Sequence, residues 1–201
     1  MEFTYENEAY NKGYKSVCGV DEAGRGPLAG AVFAAAVILP HGYTHEVLND
    51  SKKLSEKKRE QVYADIIKDA VAFSIAQASQ KEIDELNILN ATHLAMKRAV
   101  LGLNIKADFA YIDGNSLPKI DIAAQCIVKG DSKCVSIAAA SVLAKVSRDR
   151  YMLELALKYP EYLFEKHKGY GTKLHYAKIR ENGISPVHRK TFLRKFIKGE
   201  N

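Results

Sequence analysis

The chain has 201 residues and is 47% hydrophobic, enough to bury a real core in one domain or at most two small ones, which excludes a disordered polymer. Its three cysteines (Cys18, Cys126, Cys134) lack CxxC spacing, which argues against a disulfide framework and a structural zinc site and points to a reducing, cytoplasmic setting. The net charge of +6 is modest, the longest apolar run (28–40) is too short and alanine-rich for a bilayer span, and "MEFTYENEAY" is no secretory signal.

In chain order, "SVCGVD" reads as a buried strand and "GAVFAAAVIL" as a second, separated by a glycine-rich turn. Residues 55–70 read as a helix with Ser55 as N-cap and Glu56 in the first turn. "AVAFSIAQAS" alternates like a half-buried strand. "QKEIDELN" and "NATHLAMKRAVLGL" follow as helices, with an asparagine available to cap the second. "DFAYIDG" is a short strand ending at Asp113, and "DIAAQCIVKGD" another ending at Asp131. "SIAAASVLAKVSRDRYMLELALKY" is a long helix stopped by Pro160, and two further helices follow from "GTKLHYAKIRENG" to the end. The order ββαβααβ(β)αα implies an α/β fold, a mixed sheet flanked by helices. No linker divides the chain, so residues 1–201 are expected to form one domain, with about 160–201 a small helical subregion.

Three of these strands end in acids: Asp21-Glu22, Asp113 and Asp131. Sites in open α/β sheets gather at strand ends, so these carboxylates could converge. Hard oxygen ligands suit Mg²⁺ or Mn²⁺, and two ions about 3.5–4 Å apart would clamp both oxygens of a phosphoryl transfer. Taken singly, Asp113 and Asp131 are explained as well by turn or helix capping. Asp21-Glu22 is less easily dismissed, because two acids ending an apolar strand are costly to desolvate without a positive partner. Successive strand residues face opposite sides, so Asp21 and Glu22 cannot share a metal unless the strand breaks.

Gly24-Arg25-Gly26-Pro27-Leu28-Ala29 matches the dinucleotide pattern G-x-G-x-x-A, but acids precede it and a β-like run follows, where that fingerprint needs a helix. Open amides around the glycines, with Arg25, suit a nucleic-acid phosphate or a sugar hydroxyl instead. Ser141, Lys145 and Arg148 share one face of the long helix, which reads equally well as a solvent face. Tyr170, between Gly169 and Gly171, could stack on a base or sugar, or be an ordinary turn tyrosine. Basic clusters at 52–59, 145–150, 166–173 and 188–198 together suggest a polyanion partner.

Taken together, "GVDEAGRGPLAG", "NDSKKLSEKKRE", "YIDGN", "VKGDSKCVSIAAASVLAKVSRDRYM", "HKGYGTKLHYAKI" and "PVHRKTF" resemble type 2 ribonuclease H, most closely bacterial ribonuclease HII. The resemblance spans most of the chain in the family's order. It implies a ribonuclease H-like fold with a C-terminal helical extension. The implied activity is cleavage of the RNA strand of RNA–DNA hybrids and nicking 5′ of single ribonucleotides in duplex DNA, leaving 3′-hydroxyl and 5′-phosphate ends. It implies two Mg²⁺ or Mn²⁺ ions on Asp21, Glu22, Asp113 and Asp131, and a 2′-hydroxyl sensor at Gly24, Arg25 and Gly26. Tyr170 would be the junction-sensing tyrosine, Lys52 a lysine near the active site, and Ser141 and Lys145 backbone contacts. The competing readings are a non-catalytic nucleic-acid-binding module and a DNA-directed nuclease or integrase-like transferase. His188 is expected to be structural, "TFLRKFIK" to pack on the domain, and the protein to be a monomer.

Overall fold

The computed structural model describes residues 2–48 and 54–199. Its centre is a five-stranded sheet in the order β3-β2-β1-β4-β5, built from β1 (Val17–Ala23), β2 (Val32–Ile38), β3 (Ala72–Ala78), β4 (Phe109–Asp113) and β5 (Ala123–Ile127). β1, β2 and β3 form an antiparallel meander, whereas β4 lies parallel to β1 and β5 parallel to β4. The sheet is therefore mixed, as expected.

Why β2 is a continuous apolar run follows from its place in the sheet. Ala34, Ala36 and Ile38 face one core with Ala95, Met96 and Ala99 of α4 (Ile88–Leu101), while Ala35 and Val37 face another with Ala138, Ala139 and Val142. A strand covered on both sides has no solvent face to alternate toward. The second core lies under α5 (Val135–Lys158) and α2 (Glu56–Asp69). Each fully buried aliphatic side chain in these layers contributes about 1.5–3 kcal/mol.

Local chemistry sets the helix ends. Ser55 accepts from the Lys58 amide at the start of α2. Ser79 and Glu82 form a capping box that opens α3 (Gln80–Leu86), and the Asn87 side chain caps α4 through the Asn90 amide. α5 is different, because its N-cap, Cys134, supplies no side-chain acceptor. That role falls to Glu6, on an N-terminal helix α1 (Thr4–Asn11) that the sequence reading did not anticipate. The buried Glu6 Oε1 accepts from the Ser136 amide and hydroxyl, each at 2.7 Å, and from Cys134 Sγ at 3.2 Å. The Tyr111 hydroxyl of β4 donates to the Tyr5 carbonyl at 2.8 Å, so α1 ties β4 to the start of α5.

Gly19 explains how close α5 comes to the sheet. A β-carbon at Gly19 would lie 2.1 Å from the Ser136 carbonyl carbon and 2.2 Å from the Ile137 nitrogen. Helix backbone thus rests directly on strand backbone, two residues before the first acid of β1.

Two expected boundaries shift. β5 ends at Ile127, not Asp131, because Lys129 takes a left-handed conformation (φ 57°, ψ 44°) and residues Gly130–Ser132 close into a 3-10 turn. Asp131 therefore sits on a turn between β5 and α5. Beyond Pro160, which ends α5 as expected, the tail holds one full helix, α7 (Lys173–Asn182), between two single turns, α6 (Phe164–His167) and α8 (Arg194–Ile197). Left-handed residues at Leu163 and Lys168 bracket α6 and stop it extending. Phe164, Ile179 and Leu193 of this tail pack on Leu28, Ala29 and Met152, just behind the glycine-rich loop.

Candidate active site

β1 and β4 pair in parallel register as far as Val20 opposite Ile112. The next residues along are Asp21 and Asp113, so the sheet itself places two acids side by side. One oxygen from each of Asp21, Glu22 and Asp113 lies within 4.8 Å of the others. The expectation that β1 must break for Glu22 to join them is corrected here. β1 stays paired with β2 through Ala23 opposite Phe33. Alternation does put Glu22 on the other side of the sheet, near His93 and Met96 of α4. The strand ends one residue later, and the longer glutamate side chain meets the two aspartates at the sheet's rim.

Asp21 is almost wholly buried and accepts from the Glu22 amide at 2.7 Å. Burial, followed by the charges of Glu22 and Asp113, pushes its carboxyl well above the usual range, while the Ser141 hydroxyl of α5 works in the opposite direction. Burial also raises Glu22, opposed by Arg25 and reinforced by Asp113. Arg25 Nη1 stands 3.3 Å from Glu22 Oε1, but its side chain is half exposed and such a pair offsets little. Three hard oxygen donors crowded against one exposed guanidinium are a set that a divalent cation would satisfy. Asp113 accepts from the Gly130 amide at 2.6 Å, which fixes the turn carrying Asp131 beside the cluster. Among the described residues Asp131 is buried but is not one of the three mutually close carboxylates. Lys52 lies outside the described residues.

Gly24 adopts φ +97°, which other residues rarely take, and so turns the chain away from β1 immediately after the acids. A cleft of about 270 Å³ follows, lined by Glu22, Gly24, Arg59, Ser141, Lys145 and Tyr170. Sequence reasoning placed Arg59 only within a basic stretch; its guanidinium bonds the Leu54 carbonyl at 2.8 Å and lines the cleft. Tyr170 is exposed and 3.9 Å from where a Gly26 β-carbon would stand, so the Gly24–Gly26 loop and the Tyr170 segment border one opening. Lys145 reaches that opening while paired with Asp149 at 2.5 Å. The basic stretch 145–150 is therefore not simply a free cationic surface: Arg150 pairs with Glu60, and Arg148 is buried. Arg148 and the equally buried Arg189 hold the glycine-rich loop from behind through its carbonyls. Neither arginine's burial was legible, because nothing local marks which charges turn inward.

The Tyr170 segment rests on three buried imidazoles, His167, His175 and His188. Their hydrogen bonds define one neutral network. Ser185 donates its amide to His188 Nδ1, so His188 Nε2–H donates to His175 Nε2 at 3.0 Å. His175 Nδ1–H then donates to the Tyr170 carbonyl at 2.9 Å. His167 takes the Gly169 amide on Nδ1 and gives Nε2–H to the Tyr162 carbonyl. The expected structural role of His188 agrees with this geometry.

Burial, and then the adjacent imidazoles, push His175 and His188 down from 6.5 to about 4. The unfolded chain therefore binds more protons than the folded one between those values. The contribution of these imidazoles to stability should be level above about pH 6.5 and fall by on the order of 3 kcal/mol as pH drops toward 4, partly offset by relief of the raised Asp21 and Glu22 carboxyls. Melting temperature measured from pH 8 to 4.5 checks this, and a flat profile below pH 6.5 would contradict it.

The fold has counterparts among solved structures. The chain superposes on the ribonuclease H2 of Pyrococcus horikoshii OT3 with a TM-score of 0.75 and 26% identity, covering 92% of this chain and 99% of that one. It also shares its fold with Bst-RNase HIII in complex with Mn²⁺ (TM-score 0.71, 17% identity, 96% of this chain and 72% of that one). A mixed sheet flanked by helices, with carboxylates converging at the ends of its central strands, is the architecture of a type 2 ribonuclease H, a metal-binding hydrolase. The family model for ribonuclease HII matches residues 18–196. The ribonuclease HII of Caldicellulosiruptor bescii is 51% identical over 195 residues, 97% of this chain and 95% of that protein. The chain belongs to the ribonuclease HII family. It is accordingly an endonuclease acting on nucleic acid, and among its described residues no helix is long and apolar enough to cross a membrane.

Proposed function

We propose that this protein hydrolyses the RNA strand of RNA–DNA hybrids and nicks duplex DNA on the 5′ side of single embedded ribonucleotides. The products are 3′-hydroxyl and 5′-phosphate ends, and the roles served are ribonucleotide removal from DNA and removal of RNA primers. The observation that carries this reading is the packing of the Asp21, Glu22 and Asp113 carboxylates against the Gly24–Gly26 loop at one sheet end.

Asp21, Glu22 and Asp113, with Asp131 on the adjoining turn, would hold two Mg²⁺ or Mn²⁺ ions. When bound, such ions supply an activated water in line with phosphorus and stabilise the leaving 3′-oxygen. The chain's own residues do the positioning. Ser141 orients Asp21 by its hydrogen bond and keeps it available as a ligand. Amides of the Gly24–Gly26 loop meet the 2′-hydroxyl, the handle that separates RNA from DNA at one sugar. Tyr170 stacks on the neighbouring deoxyribose across the same cleft. Arg25, Ser141 and Lys145 contact phosphates without reading bases, with Lys52 as the lysine near the active site, so selection is by sugar and helix form. Residues 1–201 act as one catalytic unit, with about 160–201 a helical subregion. The protein works as a monomer in the cytoplasm, a setting consistent with its three unpaired cysteines.

Tyr170→Ala tests the junction role. The expected result is a loss on the order of tenfold in kcat/KM on a duplex with one ribonucleotide, and a smaller loss on a long hybrid. Equal losses on both substrates would count against it.

A further inference from the structure

Two arginines stand out because each is a buried cation with no acid in contact. Among the described residues neither Arg148 nor Arg189 has a carboxylate within ion-pair distance. Backbone carbonyls take that place; the two arginines share the Ala31 carbonyl, each at 3.3 Å, and their other acceptors differ. Arg189 bonds Gly24, Arg25 and Gly30 at 2.6–2.9 Å, all within the glycine-rich loop and its return. Arg148 bonds Ala29 and Ala31 at 3.3 Å, and then crosses to the Lys168 carbonyl at 3.2 Å. Its guanidinium carbon also lies 5.8 Å from the centroid of the Tyr170 ring. Gly24 rests directly on it, since a β-carbon there would fall 2.0 Å from Arg148 Nε. Arg148 thus touches both segments that border the cleft, whereas the hydrogen bonds of Arg189 all go to one.

We propose that Arg148 is a positioning residue for junction recognition, pinning the Gly24–Gly26 loop to the Tyr170 segment. The loop that meets the 2′-hydroxyl and the ring that meets the next sugar are thereby held one nucleotide apart. This deepens the functional reading above and rests on its assignment of the loop and of Tyr170. A planar guanidinium serves because it donates in three directions at once and offers a flat face to the ring. An ammonium is a point charge on a flexible stem and cannot span both segments with the same geometry. Arg189 fixes the loop alone, and every ribonucleotide-bearing substrate depends on that loop.

The test compares Arg148→Lys, Arg189→Lys, Tyr170→Ala and the Arg148→Lys/Tyr170→Ala double variant. Each is assayed for kcat and KM on a single-ribonucleotide duplex and on a long hybrid, with melting temperature measured alongside. Arg148→Lys should lower kcat on the junction substrate about tenfold or more, with KM little changed, and act far less on the hybrid. The double variant should be no worse than the poorer single, and Arg189→Lys should lower both substrates by a similar factor. Equal losses on both substrates for Arg148→Lys, or losses that multiply in the double variant, would overturn the coupling. If Arg148→Lys melts below the assay temperature, Arg148→Gln, which keeps amide donors, is read by the same criteria. The two levels of failure separate cleanly. An unchanged substrate preference in Tyr170→Ala overturns the functional reading itself. A shifted preference in Tyr170→Ala without one in Arg148→Lys overturns only the coupling.

Discussion

Asp21→Asn is expected to lower nicking by on the order of 10³-fold or more, a barrier increase of about 4 kcal/mol, while making the metal-free protein more stable. Both effects have one cause. Asp21 is buried within 4.8 Å of two other carboxylates, and its carboxyl is pushed well upward by burial and by their charge. In the absence of a divalent ion that arrangement is repulsive, and an amide of the same shape removes the repulsion while keeping an acceptor for the Glu22 amide. A gain of about 1 kcal/mol would raise the melting temperature of a chain this size by roughly 2–4 °C in chelator. The same substitution removes one of the carboxylates proposed to hold the metal ions, so the rate should collapse as stability rises. Retained activity would remove Asp21 from the reaction, and a lowered melting temperature would show that the cluster is not held under strain.

Gly19→Ala is expected to have the largest effect on stability. The added methyl meets backbone, the Ser136 carbonyl carbon at 2.1 Å and the Ile137 nitrogen at 2.2 Å, and backbone cannot rotate aside as a side chain would. Either α5 moves off the sheet or β1 distorts, at about 3 kcal/mol or more. The melting temperature should fall by roughly 6–12 °C. Activity should fall with it, because α5 carries Ser141 over Asp21 and Arg148 under Gly24. Calorimetry with a parallel nicking assay checks both, and a variant within about 2 °C of the parent would contradict the packing argument.

These two positions also show where sequence reasoning reached and where it stopped. Local signals carried well: Ser55 capped its helix, Pro160 ended α5, and Asp113 ended its strand. Those outcomes depend on a few neighbouring residues, so a short window contains their cause. Glu22 shows a rule applied correctly to the backbone and too strictly to the side chain. Alternation sent it to the opposite face, but at a strand's end that face is only a short reach from the aspartates. Glu6 caps a helix 130 residues downstream, and no local pattern announces such a partner. Its helix left a weak trace in Phe3, Glu6, Ala9 and Tyr10, whose spacing suits one helical face. Arg148 and Arg189 read as surface charge because composition counts cations without showing which carbonyls turn inward to receive them. Lys129 mimicked a strand continuing to Asp131, since a single left-handed residue leaves no signature when it is not glycine.

On the proposed function, chemistry and sugar recognition sit within one nucleotide of each other. The measurement that meets it most directly is product mapping on an end-labelled duplex carrying one ribonucleotide, with Mg²⁺ or Mn²⁺, with chelator, and against an all-DNA control. The predicted result is a single nick on the 5′ side of the ribonucleotide, leaving a 3′-hydroxyl, abolished by chelator and absent from the control. Cleavage of the all-DNA duplex, product that persists in chelator, or binding without cleavage in the presence of either metal would contradict it.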